Sequence, residues 1–338
     1  MARKQEEAAQ QREKTVGWQG FTMTVPETWD LTGFSGTETE GYLRVDDSEE
    51  QGIEIKWATE SARAKQEPDP VLRRETYFGT LEKTARKKKL PLTVKEIESP
   101  AFVEREDRNA VGFQWTGDRK AIGAVWYCRT CRRVVIAQVI GDTTGRGLTA
   151  TAEKLLRSVQ CHSEDPEWQV WALYDLYTEV PTSYTLLSQQ LMNVYLRLTF
   201  AHRESKAARL SIEQWALANV ARKDEFLDVW LSLNSKAEMR EARYEAEEST
   251  VQEHPALHLV GGPAIGMPMV QVARQVTRFQ RPATKFSALA WECEPSNKVY
   301  LIQAMRPGRV PDPVKEVAMR TPCHLETGSG SGSEGGNE

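Results

Sequence analysis

The chain has 338 residues, 40% of them apolar and 27% charged, with a net charge of −4. That length suits two domains of ordinary size, and the charge balance provides no global positive field for nucleic acid or an anionic membrane. No run approaches the ~20 apolar residues of a membrane span and no apolar region follows the charged N-terminus as in a signal peptide, so a cytoplasmic location is the expectation.

In chain order, residues 1–16 are charged and glutamine-rich and read as disordered. Phe21 to Val25 is strand-like and ends at Pro26, which cannot donate to a ladder. Tyr42 to Val45 and Ile53 to Trp57 alternate as a hairpin does, which places Asp46, Asp47 and Glu54 on an exposed face. Asp69 to Lys89 carries Val71, Leu72, Phe78, Leu81 and Ala85 at helical spacing, with Pro70 in the first turn. Strands follow at Ala110 to Thr116, Ile122 to Cys128 and Arg133 to Val139. A helix over Leu148 to Val159 then presents Leu148, Ala152, Leu155, Leu156 and Val159 on one face.

Past the polar stretch Ser163 to Glu167 the sequence repeats itself. Val25-Pro26-Glu27-Thr28-Trp29-Asp30-Leu31 returns as Val180-Pro181-Thr182-Ser183-Tyr184-Thr185-Leu186. Tyr42-Leu43-Arg44-Val45 matches Tyr195-Leu196-Arg197-Leu198, and Ile53 to Trp57 matches Leu210 to Trp215 with a small shift, so that Glu213 too is expected on an exposed face. Trp126-Tyr127-Cys128 matches Trp291-Glu292-Cys293, Val134 to Gln138 matches Val299 to Gln303, and each copy closes on Cys-His. The counterpart of the first helix is Lys223 to Leu233. Asn234 to Thr250 is an insertion-like charged run, and Gly261 to Met269 reads as a loop. The expected organisation is a first repeat over 17–163, a second over 168–325, and a disordered Gly/Ser tail over 326–338.

Each copy is expected to be α+β, an antiparallel sheet with helices packed on it. A strand entering Val-Pro-x-x-Trp (Phe21 to Trp29), a meander, a helix, more strands and a final helix resembles the Mog1/PsbP/DcrB-like superfamily. That resemblance implies a largely non-enzymatic accessory, assembly or binding protein.

The five cysteines fall at two landmarks of the repeat. An odd number without a signal peptide argues against a disulfide framework. Cys128-Arg129-Thr130-Cys131 is a C-x-x-C between two strands, the shape of a zinc knuckle; a thioredoxin-type motif would open a helix instead. The strand after Cys131 runs away from the hairpin tip and the last helix returns, so Cys161 and His162 should arrive beside Cys128 and Cys131. Three thiolates and an imidazole suit zinc; the alternative is that these cysteines are small apolar core residues. The second copy keeps Cys293, Cys323 and His324, has Ser296 in place of Cys131, and is one ligand short unless His254 or His258 supplies it.

No P-loop and no Ser-His-Asp pattern is present. Residues 141–147 read as a strand-to-helix connection, Arg86 to Lys89 as a helix end, and Arg129, Arg132 and Arg133 as a basic knuckle without the aromatic interleaving of a nucleic-acid site. The leading expectation is a non-enzymatic binding or scaffold protein with a protein partner, stapled by zinc. The alternatives are a zinc hydrolase using an open site in the second copy, with Glu292 or Glu294 as base, and a carrier of a small hydrophobic ligand.

Overall fold

The computed structural model describes residues 12–47, 51–64, 66–97, 100–142, 144–223, 225–235, 237–239, 241–264 and 284–324. The chain divides into two compact units, Met1–Thr182 and Ser183–Glu338. The disorder expected at 326–338, and at 1–11, lies outside the described residues; from Glu13 onward the expected N-terminal tail is strand.

In the first unit, β1 (Glu13–Trp18) and β2 (Phe21–Pro26) form a hairpin turned at Gln19 and Gly20, both with positive φ. β10 (Trp168–Leu173) and β11 (Leu176–Pro181) form a second, and β10 lies antiparallel to β1 with Gly17 opposite Ala172. These four strands make one sheet in the order β11-β10-β1-β2. Between the hairpins run β3 (Asp30–Gly36), β4 (Glu40–Asp46), β5 (Gly52–Thr59), α1 (Pro70–Lys88), β6 (Thr93–Ile97), β7 (Arg108–Thr116), β8 (Lys120–Cys128), β9 (Arg133–Gly141) and α2 (Leu148–Ser158). Their strands form a seven-stranded sheet, β3-β4-β5-β9-β8-β7-β6, with every pairing antiparallel.

The second unit contains β12 (Tyr184–Met192), β13 (Tyr195–His202), β14 (Arg209–Ala216), α3 (Ala218–Ala221), α4 (Leu227–Asn234), β15 (Ala242–Val251), β16 (His254–Pro263), β17 (Thr284–Cys293), β18 (Lys298–Pro307) and α5 (Val314–Met319). Its sheet order, β12-β13-β14-β18-β17-β16-β15, follows the same path as that of the first unit.

The expected α+β class is corrected by this architecture: of the described residues 51% are strand and 18% helical. Two features account for the difference. The charged run expected as an insertion is largely the edge strand β15, whose outer positions take Glu245, Glu247 and Glu248, and charge on an edge strand blocks pairing with another chain. The helices of the second unit are also short: the expected helix over Lys223 to Leu233 spans only Leu227–Asn234.

The long helix follows its local signals. Asp69 accepts a bond from the Val71 amide at 2.8 Å, Pro70 occupies the first turn, and Arg86, Lys87 and Lys88 meet the negative end of the helix dipole. Tyr77 and Phe78 of α1 pack on Phe113 and Trp115 of β7 and Val125 and Tyr127 of β8. α2 covers β8 and β9, and the segment leaving it is tied to β2 by paired backbone bonds between Thr22 and Gln160 of 3.1 and 2.8 Å. Among the described residues no helix is long and apolar enough to cross a membrane.

Candidate metal centres

In the first unit β8 ends at Cys128. The turn to β9 then places Cys131 ahead of Arg132, whose φ is +58°, and Arg132 N donates to Cys128 O at 2.8 Å. The exit from α2, fixed on β2, brings Cys161 and His162 to the same end of the sheet. The ligand atoms of Cys128, Cys131, Cys161 and His162 all lie within 4.8 Å of one another. Cys131 Sγ is 3.7 Å from Cys161 Sγ, and His162 Nδ1 is 3.5 Å from Cys128 Sγ and 3.7 Å from Cys161 Sγ. A tetrahedral ion with bonds of ~2.3 Å to sulfur and ~2.0 Å to nitrogen has edges of roughly 3.8 Å between sulfurs and roughly 3.5 Å from sulfur to nitrogen. The four side chains therefore already stand at coordination spacing and could hold a metal ion.

The surroundings favour thiolate at Cys161, while Cys128 Sγ donates to Asp107 Oδ2 at 3.1 Å. Hydrogen bonds from Cys128 and Cys131 pull the Cys161 thiol down to about 3, with Arg108 and the Trp126 indole N–H adding to the effect, while the same bonds and burial push Cys131 up. His162 turns Nδ1 toward the sulfurs and Nε2 toward Asp107 Oδ2, 3.9 Å away. A carboxylate behind an imidazole fixes its ring and tautomer in metal sites.

In the second unit the end of β17 supplies Cys293, and the chain after α5 supplies Cys323 and His324. His324 Nδ1 lies 3.3 Å from Cys293 Sγ and 3.4 Å from Cys323 Sγ. The fourth position is held by His254, the first residue of β16. Its ring packs edge-on against that of His324 with centroids 5.3 Å apart, and its Nε2 is buried without a hydrogen-bond partner. His254, Cys293, Cys323 and His324 offer ligand atoms within 4.8 Å of one another. His258 sits mid-strand, paired with Leu289 and Glu247, and does not join the set. Ser296 bonds to Cys293 O within its own turn. All five cysteines are free.

His254 reaches the site through local geometry. Gln252 and Glu253 take positive φ in the turn between β15 and β16, and the Gln252 amide donates to Ala318 O, Met319 O and Thr321 O at 2.9, 3.2 and 3.1 Å. That clamp holds the end of α5, and with it Cys323-His324, against the turn that carries His254.

Other sequence-level candidates have structural occupations. Arg129 pairs with Glu67, Arg132 bonds to Ser61 O, and Arg133 donates to three carbonyls, so the knuckle's cations tie loops together. Glu292 is paired with Arg222 at 2.5 Å. Of the acids expected on exposed faces, Asp47 accepts from the Gln51 amide at 3.3 Å in the turn after β4, and the other three stand in polar clusters. Asp46 is buried and bonded to Arg44 at 2.5 Å. Glu54 accepts from Tyr42, Arg44 and Gln138 at 3.1, 3.2 and 3.0 Å. Glu213 accepts from Tyr195 and from Gln303 at 2.5 Å, with Arg197 Nε 4.0 Å away. The Tyr, Arg and Gln of both clusters stand at matching positions of the sequence repeat, which was the signal available for them.

No family model and no curated protein matches the sequence. Among solved structures, the apo immunity protein TplEi of the T6SS from Pseudomonas aeruginosa aligns at 11% identity and TM-score 0.33, over 91% of this chain and 93% of that one. The Tle4-Tli4 complex aligns at 10% identity and TM-score 0.29, over 90% of this chain and 91% of that one.

Proposed function

We propose that the chain is a non-enzymatic protein-binding scaffold whose two units are each stapled by a structural zinc ion. The observation that supports this reading is the closure of both Cys/His sets. Each supplies four protein ligands, Cys128, Cys131, Cys161 and His162 in one unit and His254, Cys293, Cys323 and His324 in the other. Structural zinc is four-coordinate with protein groups, whereas catalytic zinc keeps a position for water. His254 fills the position that a hydrolase in the second unit would need open, and Glu292, its candidate base, is held by Arg222. A carrier of an apolar molecule is less well served: a cavity of about 820 Å³ in the second unit sets four acids, Asp228, Glu248, Glu292 and Glu294, among its apolar lining of Phe226, Leu227 and Leu257.

The partner surface in this reading is on the second unit. Leu217, Val220, Phe226, Val229 and Leu233 are exposed along α3 and α4, and Phe226, at 80%, also lines that cavity. Contiguous exposed apolar side chains rimmed by charge mark interaction surfaces.

Zinc is tested by metal analysis of the purified full chain. Two zinc ions per chain are expected, one in Cys128→Ser and one in Cys293→Ser; a zinc-free wild type overturns the staples. Partner binding is tested with a photo-crosslinking residue at position 226, which should give one dominant protein adduct in the native host. The same probe at Lys206 should not, and equal yields at the two positions overturn the surface.

A further inference from the structure

We infer that Arg108 is the counter-charge of the first metal centre, and that the two centres differ by one unit of charge. This rests on the zinc reading above. Arg108 is buried, and its guanidinium lies over the Trp126 ring with 4.9 Å to the centroid. Nη2 donates to Val159 O at 2.7 Å and approaches Cys161 Sγ at 4.0 Å; Nε and Nη1 are buried and unpaired. Among the described residues it forms no ion pair with a carboxylate. A guanidinium cannot shed its proton, so a buried one needs a nearby anion. Zn²⁺ with three thiolates and a neutral imidazole carries a net charge of −1, and the thiolate edge of that centre is the anion Arg108 faces.

The second centre is built without this cation. Ala110 pairs with Trp126 and Arg108 with Cys128; Ala256 pairs with Trp291, so the same ladder carried two residues on sets His254 against Cys293. The position that holds Arg108 in one unit thus holds a ligand in the other. Where Cys131 is replaced by Ser296, the site loses one thiolate and one guanidinium together. Zn²⁺ with two thiolates and two imidazoles is neutral and requires no counter-ion. Asp107, whose Oδ2 lies 3.1 Å from Cys128 Sγ, and the buried Arg133, which donates to Cys161 O, also flank the first centre and offset one another, so the pair of exchanges keeps each buried centre electrically balanced, which neither exchange would do alone.

The consequence is local to one centre. Zinc affinity is read by chelator competition on the full chain, with Cys293→Ser isolating the first centre and Cys128→Ser the second. In the Cys293→Ser background, Arg108→Met should weaken zinc about 10- to 100-fold, the range for groups that support metal ligands. Arg108→Lys, which keeps the charge, should stay within about threefold of the parent, and in the Cys128→Ser background Arg108→Met should change nothing. Should Arg108→Met fail to fold, Arg108→Gln against Arg108→Lys makes the same comparison. Loss with Gln and retention with Lys supports the assignment; equal loss with both overturns it. Unchanged first-centre affinity in Arg108→Met, or equal weakening of both centres, also overturns it. If neither background binds zinc, the zinc reading itself fails, a result separable from every arm above.

Discussion

Glu213 is fully buried, and burial pushes its carboxyl up to about 7, against the pull of hydrogen bonds from Tyr195 and Gln303 and the charge of Arg197. In the unfolded chain the same group titrates near 4.5. The folded state therefore binds this proton more tightly than the unfolded one, and the contribution to stability is fully present below pH 4.5. It is lost as pH rises through about 7, at a cost on the order of 3 kcal/mol between the two limits. Glu213→Gln keeps the hydrogen bonds without the titration. Urea unfolding should show that variant losing less stability than wild type between pH 5 and pH 8; parallel pH profiles would remove Glu213 from the account. The sequence placed this carboxylate on a strand by alternation, but alternation does not tell which face is covered. The answer depended on α4, whose Trp230 packs on Trp215 of β14 at a centroid distance of 5.2 Å.

At the scale of elements, two joints carry weight. The first is the clamp of Gln252 on α5. A helix that short leaves its last carbonyls without intrahelical partners; the Gln252 amide nitrogen serves two of them, Ala318 O (which also accepts from the Thr321 amide at 3.2 Å) and Met319 O, together with Thr321 O just beyond the helix. Gln252→Ala should cost about 1–3 kcal/mol by removing those bonds. Because the helix end carries Cys323 and His324, zinc bound by the second centre should also exchange faster, while the first centre is unaffected; equal exchange at the second centre in variant and wild type would show that the clamp acts on stability alone. The second joint is Gly123 in β8, an interior strand flanked by β9 and β7. A Cβ there would strike the Phe113 ring and lie 2.5 Å from Ala137 O on the neighbouring strand. Gly123→Ala should therefore destabilise the first unit by about 1–3 kcal/mol, measured as a lowered denaturant midpoint. Local signals made some elements legible: Asp69-Pro70 announced α1, and the apolar face from Leu148 to Leu156 announced α2. The fourth member of the second Cys/His set was not. His254 lies 39 positions before Cys293, and only the left-handed turn at Gln252 and Glu253 directs it inward.

For the whole molecule, the sequence repeat and the compact units have different edges. The repeat's landmarks break at the polar stretch 163–167, whereas the first unit continues to Thr182. The reason is one pairing, β1 with β10, which joins residues about 150 positions apart and has no local sequence signature. It buries Trp18 edge-on against Trp171, centroids 5.3 Å apart, and leaves each ring 2% exposed. A fragment of residues 12–163 keeps every strand of the first seven-stranded sheet but loses β10 and β11, so Trp18 keeps Phe34 but loses Trp171, and β1 becomes an open edge. A fragment of residues 12–182 keeps both. Burying an indole of roughly 200 Å² at about 25 cal/mol/Å² is worth on the order of 5 kcal/mol. In a unit of this size each kcal/mol moves the midpoint by a few degrees. The longer fragment should therefore melt at least about 10 °C higher by circular dichroism, and should stay monomeric at concentrations where the shorter one self-associates through its exposed edge. Equal melting temperatures would mean that the repeat boundary at 163–167, rather than Thr182, delimits the folding unit.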